Sequence, residues 1–200
     1  PYIIKNKLSY DIEVLINDYN IGVIKSKSEK PVPLILVTSL ANGIKAAISP
    51  IKSDPSPAIK FKKPNSEAKL YKLFDEQNKR FLYSSVYFST DSQRSICYIT
   101  FLPYAIYMNQ LPIPVSLTLL NEYNLNYRIG TSQYADVSFL KDKKSKLKIK
   151  VSIDPFGESD PTEVHTFSNL TNPSRVSIKK GNEIKCKIAV MTEYSKRTNT

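Results

Sequence analysis

The one histidine of the sequence, His165, ends a short acidic segment that has the residue types for metal or acid–base chemistry. The four carboxylates that precede it are Asp154, Glu158, Asp160 and Glu163. Carboxylate oxygens and imidazole nitrogens can together hold a divalent cation. Their spacing does not match a calcium-binding loop, however, and Pro155 and Pro161 indicate a solvated acidic loop. We therefore expect no metal and no cofactor at this segment.

A second pattern with possible chemistry is Glu183-Ile184-Lys185 on a predicted strand, with Asp160 upstream. It has the loose form of a metal-dependent nuclease triplet. Glu-x-Lys is common in lysine-rich chains, and the sequence contains no glycine-rich phosphate loop, nucleophile elbow or histidine-based dyad. We expect that the protein is not an enzyme and has no small-molecule substrate. A metal-dependent nuclease is the remaining enzymatic alternative.

Lysines form the most extended constellation. They precede and occupy an alternating segment, Lys146 to Ile153, and recur in a predicted C-terminal hairpin. Alternate residues of a strand lie about 6.6–6.8 Å apart on one face, close to the spacing of phosphates along a nucleic acid or of lipid headgroups. If the two segments pair as neighbours, they form one positive sheet face. The candidate polyanion-binding residues are Lys141, Lys143, Lys144, Lys146, Lys148, Lys150, Lys179, Lys180, Lys185 and Lys187. The alternative is a solvated face that uses lysine to prevent edge pairing.

The net charge supports the binding interpretation. The formal charge is +11, and the excess of Lys and Arg is similar in both halves of the chain. A basic surface of this kind attracts nucleic acid or anionic lipid, and salt weakens the attraction. Lysine far outnumbers arginine, which is the residue suited to bidentate base reading. The charge therefore favours delocalised attraction over sequence-specific recognition.

Aromatic side chains are frequent, but they lie outside the lysine runs. Stacking on nucleic-acid bases is one possible role for them, and packing in the core is the role that we favour because they occupy apolar strands. They are Tyr83, Tyr87, Phe88, Tyr98, Phe101, Tyr104 and Tyr107.

The two cysteines, Cys97 and Cys186, have no second cysteine or histidine at metal-ligand spacing. We interpret both as buried free thiols in a reducing compartment. A disulfide between them is the alternative for an extracellular chain. Asn169-Leu170-Thr171 fits the glycosylation pattern, which is frequent by chance.

The elements that must position these residues are mostly strands. The predicted fold class is mainly β (α+β): an antiparallel β-sandwich or barrel-like sheets with one or two short helices. We expect one β-rich domain over residues 1–200, with any subdivision near the proline-rich segment 49–64, and we detect no internal repeat. The predicted strands are Tyr10 to Ile16, Ile21 to Ile24, Leu34 to Val37, Phe81 to Ser89, Ser95 to Leu102, Val115 to Leu120, Tyr134 to Leu140, Lys146 to Ile153, Arg175 to Lys180 and Glu183 to Met191.

Two helical segments are predicted. Leu40, Ala41, Ile44, Ala47 and Ile48 have near-helical spacing, with Ser39 as the N-cap. The spacing of Leu70, Leu73 and Phe74 predicts an amphipathic helix at 66–79. No apolar stretch approaches the roughly 20 residues that cross a bilayer.

A family resemblance lies in two apolar strands joined by a proline corner. They read Ile96-Cys97-Tyr98-Ile99-Thr100-Phe101-Leu102 and, after Leu111-Pro112-Ile113-Pro114, Val115-Ser116-Leu117-Thr118-Leu119. This pattern, in a tryptophan-free, lysine-rich chain, resembles matrix proteins of negative-strand RNA viruses. The resemblance covers about half of the chain.

The resemblance implies a non-enzymatic structural protein that self-associates into homo-oligomers. Its basic face would bind an anionic membrane surface, nucleoprotein or RNA. The expected location is the host cytoplasm, the membrane periphery or the virion, with secretion as an alternative. The second functional hypothesis is a nucleic-acid-binding capsid or cell-to-cell movement protein.

Overall fold

The structure is a computed structural model that describes residues 1–50, 55–61, 64, 69–75, 79–120, 124–137, 147–164 and 174–190. These residues are mainly in β-strands, most of them antiparallel, which confirms the predicted fold class. Helical structure in the described part is limited to two 3-10 turns, at Leu34–Leu36 and Thr38–Asn42. None of it is long and apolar enough to span a bilayer.

The chain divides into two compact units. The first contains Pro1–Ala105 and also Asp136 and Val137, and the second contains Ile106–Ala135 and the other described residues. The proline-rich segment 49–64, where the sequence suggests any subdivision, lies within the first unit. One domain over residues 1–200 stays a prediction, because two compact units can fold either together or separately.

The first unit contains two sheets, and its strands are β1 (Tyr2–Asn6), β2 (Ile12–Ile16), β3 (Tyr19–Ile24), β4 (Glu29–Pro31), β5 (Ile44–Ile48), β6 (Lys69–Asp75), β7 (Arg80–Asp91) and β8 (Ile96–Pro103). One sheet has the order β4-β1-β8-β7-β6, in which β1 and β8 are parallel, and the other has the order β3-β2-β5. Alternation explains the strands, since every second residue of β2 is fully buried. Asn17 and Asp18 turn β2 into β3 with positive φ angles, as their residue types predict.

A short sheet pairs β9 (Ala105–Met108) with β12 (Tyr134–Val137). The main sheet of the second unit has the order β11-β10-β13-β14-β16-β17, and β15 pairs with β13. Its strands are β10 (Val115–Leu119), β11 (Leu125–Ile129), β13 (Leu147–Ile153), β14 (Gly157–Ser159), β15 (Thr162–Val164), β16 (Ser174–Lys180) and β17 (Glu183–Val190). The hairpin turn predicted at Gly181-Asn182 is confirmed.

The predicted helix at 66–79 is wrong, because residues 69–75 form strand β6. Leu73 pairs with Leu82 of β7, both side chains are buried, and the rings of Phe74 and Phe81 lie 5.0 Å apart. An apolar spacing of three and four residues fits a short strand as well as a helix, and pairing with β7 decides between them.

The predicted structure of residues 34–48 also needs correction. Leu34 to Val37 is not a buried strand: it starts with a 3-10 turn in which Leu34 is 88% and Ile35 85% exposed. The helix predicted from Ser39 is limited to the 3-10 turn Thr38–Asn42. Gly43, with φ at 91°, ends that turn, and the next residues pair with β2 as strand β5.

The two units contain a repeat that the sequence analysis missed. In each, a buried asparagine donates to three carbonyl oxygens and accepts from the N–H two residues later. Asn6 donates to Tyr10, Ile24 and Lys25, and accepts from Leu8. Asn109 donates to Ile113, Ile129 and Gly130, and accepts from Leu111. The same bonds therefore fix the loop between consecutive strands in both units.

The repeat extends to a buried serine and to the strand order. The Oγ atom of Ser56 accepts from the N–H of Ala46 in β5, and that of Ser159 accepts from Val151 in β13. Strand β2 lies between β3 and β5 as β10 lies between β11 and β13, and β4 pairs with β1 as β12 pairs with β9. The expectation of no internal repeat is therefore wrong at the level of structure.

Candidate polyanion-binding face

The main sheet of the second unit has an apolar side and a polar side. Ile149, Val151 and Ile153 of β13 are buried, whereas Lys148 is exposed and Lys150 half-buried. Cross-strand register extends this alternation to the other strands. We define the basic sheet face as the seven cationic residues at its outward positions, Arg128, Lys148, Lys150, Arg175, Lys179, Lys185 and Lys187.

Five of the predicted lysines belong to this face. Lys148 and Lys150 are on β13, Lys179 is on β16, and Lys187 pairs with Ser177 two residues before Lys179. Lys185 lies beside Lys179 at a register shift of the β16–β17 ladder.

Of the other five, Lys180 does not join them. Lys180 is one residue out of step with Lys179, so its side chain leaves β16 on the side of buried Ile178. Lys141, Lys143, Lys144 and Lys146 lie outside the described residues.

The two lysine segments are not direct neighbours. Strand β14 lies between β13 and β16, and its Glu158 is opposite Lys179 in the ladder. Glu158 also receives the Nζ of Lys150 at 2.6 Å. A carboxylate therefore separates the cations of the two segments, so the face is not the continuous positive surface that direct pairing would give.

Two further carboxylates neutralise part of the face. Nζ of Lys179 lies 2.5 Å from Asp160, and Nζ of Lys185 lies 2.6 Å from Glu183. All three acidic partners are exposed, and exposed pairs contribute only about 0–1 kcal/mol. They hold the lysines weakly, but each removes one unit of net charge from the face.

The charges of four cations of the face are not balanced by a described carboxylate in an ion pair. Arg128, Arg175, Lys148 and Lys187 are exposed, and no carboxylate of the described residues forms an ion pair with them. Glu163 lies opposite Lys148 in the ladder. The sequence analysis missed both arginines. Arg175 carries the signal of alternation with Ser177 and Lys179, whereas Arg128 becomes visible only through its register with Ser116 of β10.

The acids of the metal and nuclease alternatives lie among the described residues. Asp160 and Glu183, the acids of the triplet, are in separate ion pairs with lysines. Among the described residues, no three His, Cys, Asp or Glu side chains are grouped closely enough to hold a metal ion. His165 lies outside the described residues, so its place in the predicted cluster stays untested.

The predicted aromatic residues other than Tyr107 belong to the first unit. Phe101 and Tyr83 are buried in the first unit, and the ring of Tyr98 is covered by the Nζ of Lys5 at 3.7 Å. In the second unit, burial raises the pKa of Tyr107, and the charge of nearby Tyr127 raises it further. These contacts are typical of structural packing.

Cys97 and Cys186 are both free and half-buried. Asn169 lies outside the described residues.

Comparison with known protein families and with curated proteins finds no match to this chain.

Proposed function

We propose that this chain is a non-enzymatic, matrix-like structural protein that binds an anionic membrane surface through the basic sheet face. The observation that supports this most is the sorting of charge in the second unit. Seven cations occupy outward positions, four of them without an ion-pair partner in the described part, while the inward positions of β10 and β13 are apolar. Four of the seven cations lie on β13 and β16, which have ladders on both sides, and Arg128, Lys185 and Lys187 lie on the edge strands β11 and β17.

Charge neutralisation sets the expected strength. A cation close to an anionic membrane surface contributes about 1 kcal/mol. The four cations without an ion pair would together contribute about 4 kcal/mol, which corresponds to a roughly thousandfold gain in partitioning. The exposed pairs of Lys150, Lys179 and Lys185 can exchange their carboxylates for headgroup phosphates at little cost.

Lipid is favoured over single-stranded nucleic acid by the composition of the face. Proteins that grip single strands combine cations with exposed aromatic rings on which bases stack. The described outward positions of this sheet carry Ser, Thr, Asn, Ala, Lys, Arg and Glu, with Ile184 opposite Lys179, and no aromatic residue. A headgroup layer requires charge alone. A capsid or movement-type role on RNA is therefore the second candidate.

The test is flotation with vesicles that contain phosphatidylserine, over a series of salt concentrations. We expect binding at low salt that falls as salt rises, and about a hundredfold weaker binding of Lys148→Glu with Lys187→Glu, because each reversal costs more than the loss of one cation. Lys180→Glu, with its charge change on the other side of β16, is the matched control for a single reversal.

The same salt series on single-stranded RNA separates the candidates. A steep salt dependence on RNA without binding to anionic vesicles would select the nucleic-acid role. Absence of binding to both partners at low salt would remove the proposal. Sedimentation of the free protein tests homo-oligomer formation, which stays a prediction.

A further inference from the structure

The most exposed large apolar side chains of the described residues are adjacent. Leu34 and Ile35 are 88% and 85% exposed, while the next highest, Met108 and Tyr19, reach 61% and 60%. Leu34 and Ile35 occupy the 3-10 turn Leu34–Leu36, directly after Pro33. Exposing two neighbouring aliphatic side chains to water is unfavourable, which makes this turn a candidate contact site.

Part of the backbone of this turn is hydrogen-bonded within the turn. The N–H of Leu36 bonds to the carbonyl of Pro33 at 2.9 Å, and that of Val37 to the carbonyl of Leu34 at 3.1 Å. Pro31 and Pro33 have no N–H to satisfy. The N–H groups of Leu34 and Ile35 donate to no backbone carbonyl of the described residues, so at the boundary of a bilayer they would keep a headgroup or water partner, because unpaired groups are costly in hydrocarbon.

Charge around the turn fits a lipid headgroup layer. Residues 31–44 carry no ionisable side chain, and the run is bounded by Lys30 and Lys45. The side chain of Lys60 lies over Gly43, at the end of the same run. Lysines in such places can extend their ammonium groups to the headgroups while the apolar residues enter below. The acids beside them, Glu29 and Asp18, are held in ion pairs with Lys5 and Lys45.

The small size of the apolar feature also favours lipid over a protein partner. A stable protein interface buries about 800 Å² on each side, with shape complementarity around the contact. Two aliphatic side chains that project from a tight turn supply only a fraction of that area. A bilayer requires no complementary shape, since burial of the projecting carbons is sufficient.

We propose that the turn Leu34–Leu36 inserts into the boundary between lipid headgroups and acyl chains. The inference concerns the first unit and does not depend on the basic sheet face. Insertion driven by apolar burial persists on zwitterionic lipid and at high salt, where attraction by charge is lost. Those conditions separate this proposal from the proposed function.

The test uses the fact that the chain contains no tryptophan. Ile35→Trp places one fluorophore at the tip, and Tyr19→Trp, at a position that is 60% exposed on β3, is the matched control. With phosphatidylcholine vesicles in high salt, we expect the emission of the Ile35→Trp protein to shift to the blue and to be quenched by lipids brominated along the acyl chain. The control emission should stay unchanged.

A partition measurement adds an independent readout. Leu34→Ser with Ile35→Ser should lower partitioning into the same vesicles by about tenfold or more, from the loss of two buried aliphatic side chains. Tyr19→Ser and the pair Lys148→Glu with Lys187→Glu should partition as the unchanged protein does. Equal emission shifts at positions 35 and 19, or no shift at either, would overturn the proposal. A shift at position 35 that requires no vesicles and grows with protein concentration would also overturn it, because a second copy would then cover the turn.

Discussion

The buried asparagine of each unit provides the sharpest prediction about stability. In Asn6→Ala, the amide that donates to the carbonyls of Tyr10, Ile24 and Lys25 is removed, at N···O distances of 2.7, 3.0 and 3.2 Å. The N–H of Leu8 also loses its acceptor, at 3.0 Å. Asn6 is fully buried, so the groups left behind do not regain water freely.

The size of the effect follows from this count. The amide has two hydrogens, so it makes two full donations and shares a third, and the accepted bond brings the loss to about three bonds. At about 1 kcal/mol net for each bond, we expect Asn6→Ala to lower the free energy of unfolding by about 3 kcal/mol. That is a large part of the 5–15 kcal/mol typical of a folded domain.

The assay is urea unfolding followed by circular dichroism. With a slope of about 1–3 kcal/mol per molar urea, the midpoint should fall by about 1–3 M. Asn126→Ala, at an exposed position of β11, is the control and should change the stability by less than about 0.5 kcal/mol. Asn6→Asp keeps the acceptor for the N–H of Leu8, but it places a carboxylate against carbonyl oxygens. It should therefore lower the free energy of unfolding at least as much as Asn6→Ala does.

Two results would refute this reasoning. A loss below about 1 kcal/mol for Asn6→Ala would show that water replaces the amide without cost. A neutral Asn6→Asp would show that the donated bonds are unimportant. The equivalent substitution Asn109→Ala tests the repeat, and should destabilise by a similar amount if the two asparagines have the same structural role.

Three further predictions concern backbone space and pH. Gly157→Ala should lower the free energy of unfolding by more than about 2 kcal/mol in the same urea assay. The reason is that φ is 110° and a Cβ would lie 2.0 Å from the carbonyl oxygen of Lys179. A change below about 0.5 kcal/mol would contradict this prediction. Asp11 accepts hydrogen bonds from the Lys25 side chain and the N–H of Ser26, which hold its pKa below the usual 3.8. The free energy of unfolding should therefore fall as the pH drops below about 4. Asp11→Asn should reduce that fall by up to about 1 kcal/mol. Burial raises the pKa of Tyr107, so the folded state favours the neutral phenol and loses stability as the pH rises above about 10. Tyr107→Phe should lessen this loss. An unchanged dependence of stability on pH would contradict the prediction.

Strand alternation made much of the fold predictable. The lysines at 146, 148 and 150 alternate with apolar residues, and β13 indeed buries Ile149, Val151 and Ile153. Gly181-Asn182 identified the β16–β17 hairpin in the same way. Both signals are local, so a single sequence is sufficient to read them.

The errors arise where tertiary contacts outweigh local spacing. The apolar spacing of residues 70–74 fits a helix and a strand, and only pairing with β7 selects the strand. The repeat stayed hidden because the two units share little beyond an asparagine, a leucine two residues later and alternating apolar positions in β2 and β10. Many different sequences satisfy the same buried pattern.

The candidate site was predictable only in part, for a similar reason. The lysines of β13 and β16 could be assigned to one side of their strands by alternation. The acidic partners Glu158 and Asp160 depend on strand order and register across β14, which the sequence does not reveal, whereas Glu183 precedes its partner Lys185 by two residues on β17. The register of β11 with β10 brings Arg128 onto the face, and alternation along β16 places Arg175 on the same side as Lys179.

Lysine footprinting tests the basic sheet face most directly. The protein is acetylated briefly with and without phosphatidylserine vesicles at low salt, and the modification of each lysine is measured by mass spectrometry. Slower acetylation of Lys148 and Lys187 on the vesicles, with Lys180 and Lys25 unchanged, is the result that our account predicts. Uniform protection of all four lysines, or protection of Lys180 and Lys25 alone, would contradict it.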